Sequence, residues 1–397
     1  MSKESRYFCK RKCQAKILSI LFLIMRIFPV KKDKIVFSTF EGDGGFCCNP
    51  RYIAEELHRR DFSCEMIWLT HDVRRNFPDY VKVIKYTPWN IAYHLTTAKI
   101  WVDNYRKPYG TIKRKGQIYL QTWHASIGFK AVGLYRGESF PKIAKKVSEW
   151  DSKLIDVMIS NSKYCDQIYP KKLLYSGPTL RVGSPRVDCL INEKSRLHER
   201  IHQKLQVEKN TKLVLFAPTF RGGNQKAKKK VTSPIPTIDF DRLIRNLETK
   251  TECKWNVLLR LHPQLSAHMN KMSINCVNEK IIDVSQEEDM SEVMGGCDLV
   301  ITDYSSCAFD ACFAGIPVLL YADDVKEYIA NRGNFMWKRE QLPFLMAENN
   351  DELMENVKKF NRNVYNEKIR LFAEKYEICE NGHACQDIVD LIEEYMK

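Results

Sequence analysis

Fourteen cysteines occur in 397 residues, yet no two of them form a C-x-x-C pair and no regular framework spacing joins them. That excludes a disulfide scaffold and the usual zinc ribbons, and points to free thiols in a reducing compartment. No aspartate triplet is present, and neither a metal nor another cofactor is expected. The glycines offer no G-x-G-x-x-G, so the dinucleotide fingerprint is absent. Repeats and low-complexity tracts are missing as well, which rules out solenoids. Long apolar runs are equally scarce. Ile17 to Met25 is nine residues long before Arg26 interrupts it, against the roughly twenty that a spanning helix needs. No small-x-small site follows it, so it does not read as a signal peptide.

Acidic residues are in deficit, 49 against 63 Lys and Arg, giving a formal charge of +14. The excess is uneven. Residues 1–34 hold ten basic and two acidic side chains, 10 − 2 = +8. Concentrated beside an apolar core, this charge suits an anionic membrane surface better than a nucleic acid, and no nucleic acid partner is expected. Lys10, Arg11, Lys12 and Lys16 would lie near headgroups if Ile17–Met25 forms an interfacial helix. A core helix of the first domain is the other reading. On the interfacial reading, residues 1–31 are dispensable for the folded body.

What remains is a chain long enough for two cores, in which short β-branched runs alternate with helical patterns. The clearest unit is Cys297 to Asp324. Leu299–Thr302 reads as a buried strand, Asp303-Tyr304-Ser305-Ser306 as a turn opening a helix, Gly315 and Pro317 as its stop, and Val318–Tyr321 as the next strand. Two hydroxyls at a helix N-terminus suit a phosphate, or simply cap the helix. Upstream, strands are expected at 34–38, 66–70, 81–84, 99–103, 119–123 and 154–160, and later at 212–216, 255–260 and 281–284. His124 and His262 each stand at a strand end, where ligands of open α/β sheets bind. The chain divides into a membrane-association segment 1–31, an N-terminal domain 32–191, a charged helical linker 192–210, a C-terminal domain 211–375 and a closing helix 376–397.

An ordered set of short motifs runs through both domains. Gln121-Thr122-Trp123-His124, Lys130, Gly133, Gly183-x-Pro185-Arg186-x-Asp188, Ala217-Pro218-Thr219-x-Arg221, His262-Pro263 and Ile301-Thr302-Asp303-Tyr304-Ser305-Ser306-x-x-Phe309-Asp310 stand in this order, followed by Glu327-Tyr328 and Arg332-Gly333. Together they resemble the CDP-glycerol glycerophosphotransferase family, the teichoic acid primases and polymerases, over roughly residues 34–345. The resemblance implies an α/β fold with two Rossmann-like domains facing across a cleft (GT-B), peripheral attachment to the cytoplasmic face of the membrane, and a CDP-glycerol or related CDP-alditol donor. It implies transfer of an alditol phosphate to a hydroxyl of an undecaprenyl-linked glycan or polyol-phosphate chain. Ala125 departs from the glycine usual after the histidine.

On chemical grounds an alcohol acceptor needs a base, and His124 has the pKa for it. Arg221, His262, Thr302, Ser305 and Ser306 are candidates for stabilising the transferred phosphoryl group. Arg186 is assigned to the same donor side, Asp310 to the ribose or to a structural role, and Trp123 and Lys130 to the acceptor side. A CDP-ribitol enzyme and a sugar-nucleotide glycosyltransferase on the same fold remain alternatives, with a non-enzymatic membrane scaffold ranked last.

Overall fold

A computed structural model describes residues 3–219, 237–261, 279–287, 289–332 and 335–397. The chain forms two compact units. Unit 1 comprises residues 1–126, 131–188 and 376–397, and unit 2 residues 127–130 and 189–375.

Unit 1 holds strands β1 (Lys31–Ser38), β2 (Glu65–Thr70), β3 (Lys82–Lys85), β4 (Ala98–Asp103), β5 (Ile118–Gln121), β6 (Val157–Ser160) and β7 (Thr179–Arg181). They pair in the order β3-β2-β1-β4-β5-β6-β7, with every neighbour parallel. Parallel strands need crossovers, and the intervening helices supply them. Ser162, for example, accepts from the Cys165 amide and opens helix Lys163–Lys172. Helices cover the sheet, so its central strand positions are apolar: Ile35, Phe37, Trp68, Ile100, Val102 and Leu120 are all buried.

Unit 2 repeats the plan with β8 (Lys212–Phe216), β9 (Trp255–Leu259), β10 (Ile281–Asp283), β11 (Leu299–Thr302), β12 (Val318–Tyr321) and β13 (Leu345–Ala347). Its parallel order is β10-β9-β8-β11-β12-β13. In both sheets the order reverses beside the unit's first strand, between β1 and β4 and between β8 and β11. These are the topological switch points, where ligands bind beyond the strand ends.

Several boundaries differ from the sequence reading. Strand β6 starts at Val157 rather than Leu154, because residues 151–154 finish a helix and its turn. The expected linker is an ordered helix, Lys194–Leu205, assigned to unit 2. Residues 350–376 form two helices, Asn350–Lys359 and Arg362–Tyr376, and between them the Asn361 side chain accepts from the amides of Asn363 and Val364. The closing helix Ala384–Met396 belongs to unit 1, its Ile388, Val389 and Ile392 completing that core. Strand β13 and helices Lys142–Ser152 and Phe240–Thr251 carry no signal that sequence reading used.

The N-terminal segment needs the largest correction. Helix Lys3–Met25 packs on helix Pro88–Thr97 and buries Ala15, Leu18, Leu21 and Phe22. Ser19 donates to the Gly110 carbonyl at 2.9 Å. Gly110 has φ +100, and a Cβ there would lie 2.2 Å from the Ala15 carbonyl oxygen, so the chains meet backbone to backbone. Residues 3–31 thus pack within unit 1, where the sequence sets 1–31 apart as a membrane-association segment. The other face of the same helix leaves Ile17, Ile20, Leu23 and Ile24 exposed. Among the described residues no helix is long and apolar enough to cross a membrane.

Candidate active site

At the unit 1 switch point the chain leaves β4 through a buried ion pair. Lys107 Nζ lies 2.7 Å from Asp103 Oδ2, each side chain being 2% exposed. Ser38 Oγ, at the end of β1, donates to the same carboxylate. Asp103 is therefore fully used in holding the bend, since a buried carboxylate must be paired. Behind it Asp151 is pushed up to about 6 by burial, although Arg106 stands nearby.

The bend presents the Asn104 carbonyl to His124, whose Nδ1 lies 2.9 Å away. A carbonyl only accepts, so Nδ1 carries the proton and the neutral ring has its lone pair on Nε2. That is the tautomer a general base requires. The ring is half-buried among Phe40, Tyr105 and Trp123, at centroid distances of 5.3, 5.5 and 4.6 Å. Trp123 is itself buried, with φ +51, a left-handed conformation that a bulky residue adopts only when its surroundings impose it. Its indole lies under Arg106 at 5.5 Å. Trp123 thus supports the histidine. Lys130 falls in unit 2, exposed and 5.9 Å from the Tyr328 ring centre.

At the unit 2 switch point Asp303 plays a matching structural part. It accepts from the Thr219 amide at 2.9 Å, the Thr219 hydroxyl at 3.0 Å and the Tyr304 amide at 2.5 Å. Thr302 is fully buried and donates to the Ala217 carbonyl at 2.6 Å, so it braces the turn. Ser305, Ser306 and Asp310 are part-exposed beyond it. Ser306 holds the N-cap position of helix Cys307–Phe313 without a side-chain capping bond, and Ser305 Oγ makes a long 3.5 Å contact with the Cys307 amide. Beside this turn lies a cavity of about 550 Å³ in unit 2, walled by Tyr304, Leu320, Ile329, Phe335 and Trp337.

Arg186 departs from its expected place on the donor side. It lies in unit 1, 7% exposed, with Nη1 donating to the His124 carbonyl at 2.7 Å. Arg221 and His262 lie outside the described residues. One signal was passed over in the sequence: His198-Glu199-Arg200-Ile201-His202 has the H-E-x-x-H spacing of zinc sites. Both His202 ring nitrogens face carbonyls, of His198 at 2.8 Å and Thr211 at 2.9 Å. Glu199 pairs with Lys209. The string therefore fastens a helix, and no group that could hold a metal ion occurs among the described residues.

Two doubly wound parallel units, one with a histidine and the other with a hydroxyl turn at its switch point, define the α/β class. Comparison with known proteins makes this specific. Residues 20–394 match the model of the CDP-Glycerol:Poly(glycerophosphate) glycerophosphotransferase family, and the chain belongs to that family. Its class is thus that of the glycerophosphotransferases. A teichoic acid poly(glycerol phosphate) polymerase of Bacillus spizizenii is 27% identical over 96% of this chain and 97% of its own length. One from Staphylococcus epidermidis is 29% identical over 93% of this chain, which spans 51% of that longer protein. Among solved structures, a variant of the wall teichoic acid polymerase TagF soaked with CDPG superposes with a TM-score of 0.81 at 26% identity, covering 99% of this chain and 97% of that one.

Proposed function

We propose that the chain works in the GT-B manner, with unit 2 holding the CDP-glycerol and unit 1 supplying the base to an acceptor hydroxyl. The observation that carries this reading is the Nδ1 contact of His124 with the Asn104 carbonyl, which leaves Nε2 basic. Nε2 takes the acceptor's proton, and the hydroxyl oxygen attacks the phosphorus that bears glycerol. The bond to the CMP oxygen breaks, and CMP leaves with the electron pair. Ser305 and Ser306 hydrogen-bond phosphate oxygens, and Asp310, four to five residues further along the chain, meets the ribose. Arg221 and His262 join them at the phosphates. The part-exposed serines, one of them without a capping bond, favour this reading over a plain N-cap.

The acceptor in this proposal is an undecaprenyl-linked glycan or a polyol-phosphate chain at the cytoplasmic face of the membrane. Ile17, Ile20, Ile24 and Ile27 recur at helical spacing and are all exposed; with the basic residues preceding them they form the docking stripe for anionic lipid. The protein would thus be peripheral, one helix face in the fold and the other in the interface. Incubation with CDP-glycerol, CDP-ribitol and UDP-sugars, with release of the free nucleotide followed, tests the donor assignment. CMP release from CDP-glycerol alone is the expected result. Preference for CDP-ribitol or a UDP-sugar would overturn it.

A further inference from the structure

The loop that carries His124 is held in an unusual way. Five consecutive carbonyls, from Thr122 to Ser126, are each caught by a side chain from outside the loop. Asn49 Nδ2 donates to the Thr122 and Trp123 carbonyls at 3.3 and 2.8 Å. Arg186 Nη1 donates to that of His124 at 2.7 Å. Lys172 Nζ takes those of Ala125 and Ser126 at 2.7 and 2.6 Å. The three residues are 1%, 7% and 2% exposed and come from three helices, Cys48–Arg59, Pro185–Asn192 and Lys163–Lys172. They are also linked, since the Arg186 amide donates to Asn49 Oδ1 at 3.1 Å.

Two of the three are long cations in the interior, where a charge is costly unless it is well paired. Burying a loop requires only that its carbonyls be satisfied, and neutral groups or water do that at less cost. Cations give shorter, stronger and more directional hydrogen bonds. Gly133 closes the arrangement. It has φ +61, and a Cβ there would lie 2.2 Å from the Lys172 carbonyl oxygen, so the chain returns against the end of the helix that presents the ammonium.

We propose that Asn49, Arg186 and Lys172 are positioning residues, a three-helix clamp that fixes the backbone from Thr122 to Ser126 so that the His124 ring keeps its Nδ1 on Asn104 and its Nε2 toward the acceptor hydroxyl. The clamp touches no substrate and acts through His124, so the proposal rests on His124 being the base.

The test uses the full chain with Lys172→Met and Asn49→Ala, each made alone and in a His124→Ala background. Lys172→Met keeps the stem volume and removes the cation; Asn49→Ala releases the other end of the loop. Each single variant should lose at least tenfold in kcat while its KM for CDP-glycerol stays within about twofold, because the donor is held elsewhere. In the His124→Ala background neither should lower the residual rate further, because nothing remains to position. Nitrogen-15 shifts of the His124 ring should report the Nδ1–H tautomer in the unsubstituted protein and a mixture in the variants. A kcat within threefold, or the same fold-loss with and without His124, would overturn the clamp. Near-normal turnover by His124→Ala alone would instead remove the base, and the clamp with it. If one variant fails to melt cooperatively, the other carries the same readouts.

Discussion

The two faces of the N-terminal helix make opposite predictions that can be measured on one pair of variants. Phe22 is 1% exposed, and Phe22→Ala in such a site costs about 3–5 kcal/mol through lost burial and the cavity left behind. For a unit of this size that lowers Tm by roughly 6–20 °C. Ile20 and Ile24 lie on the opposite face, 55% and 47% exposed. Replacing both with Glu changes stability by no more than about 0.5 kcal/mol each. On a membrane the same pair matters. The half of each side chain that water still reaches is worth about 1 kcal/mol when lipid covers it. A carboxylate near an anionic surface reverses a contribution of about 1 kcal/mol per charge. The double variant should therefore bind vesicles at least about a hundredfold more weakly while melting normally. Sedimentation with anionic vesicles at low and high salt, beside thermal melts, reads both quantities. Unchanged vesicle binding by Ile20→Glu/Ile24→Glu, or a melting loss as large as that of Phe22→Ala, would refute the assignment of faces. Deleting residues 1–31 is a poor substitute, because it uncovers helix Pro88–Thr97 and confounds the two effects.

Further outcomes follow from the site and the buried titratable groups. His124→Ala should reduce turnover by about a hundred- to ten-thousandfold with donor affinity nearly intact, as expected on losing a general base; turnover within threefold of the unsubstituted rate removes the role. Ser305→Ala with Ser306→Ala should weaken CDP-glycerol binding at least tenfold, each lost bond to a charged phosphate being worth about 1.5–3 kcal/mol; calorimetry showing unchanged affinity and a lowered Tm would make the pair structural. Burial, reinforced by nearby Lys34, pushes His94 down to about 4, so below its ordinary pKa the unfolded chain binds a proton that the native state refuses. Stability should fall as pH drops from about 6.5 toward 4, and His94→Leu should flatten that slope in urea midpoints measured at pH 4.5 and 7.

Much of this protein was legible in its sequence, and the reason is local. Runs such as Leu299–Thr302 and Val318–Tyr321 are apolar because helices cover both faces of a parallel sheet, and the residues that follow them are turn formers because the chain must reverse there. Strand ends are therefore marked in the sequence, and with them His124 and the Ser305-Ser306 turn. An ordered series of short motifs further identified the family, though each alone is weak. What the sequence left undecided depends on partners distant along the chain. Thr302 and Asp303 lie in the motif beside the serines, yet they are consumed by Ala217 and Thr219, more than eighty residues earlier. Arg186 reads as a phosphate ligand until the fold sets it on the His124 carbonyl, 62 residues away. The final helix reads only as a helix closing the chain, and its packing assigns it to the first unit. The helix Lys3–Met25 carries apolar residues on both sides, so periodicity could not separate its core face from its exposed one; only contact with Gly110 and helix Pro88–Thr97 did so. Hydrophobic pattern is a property of neighbours in sequence, and determined the elements. Which polar groups are spent and which remain for chemistry is a property of neighbours in space, and only the tertiary structure decided it.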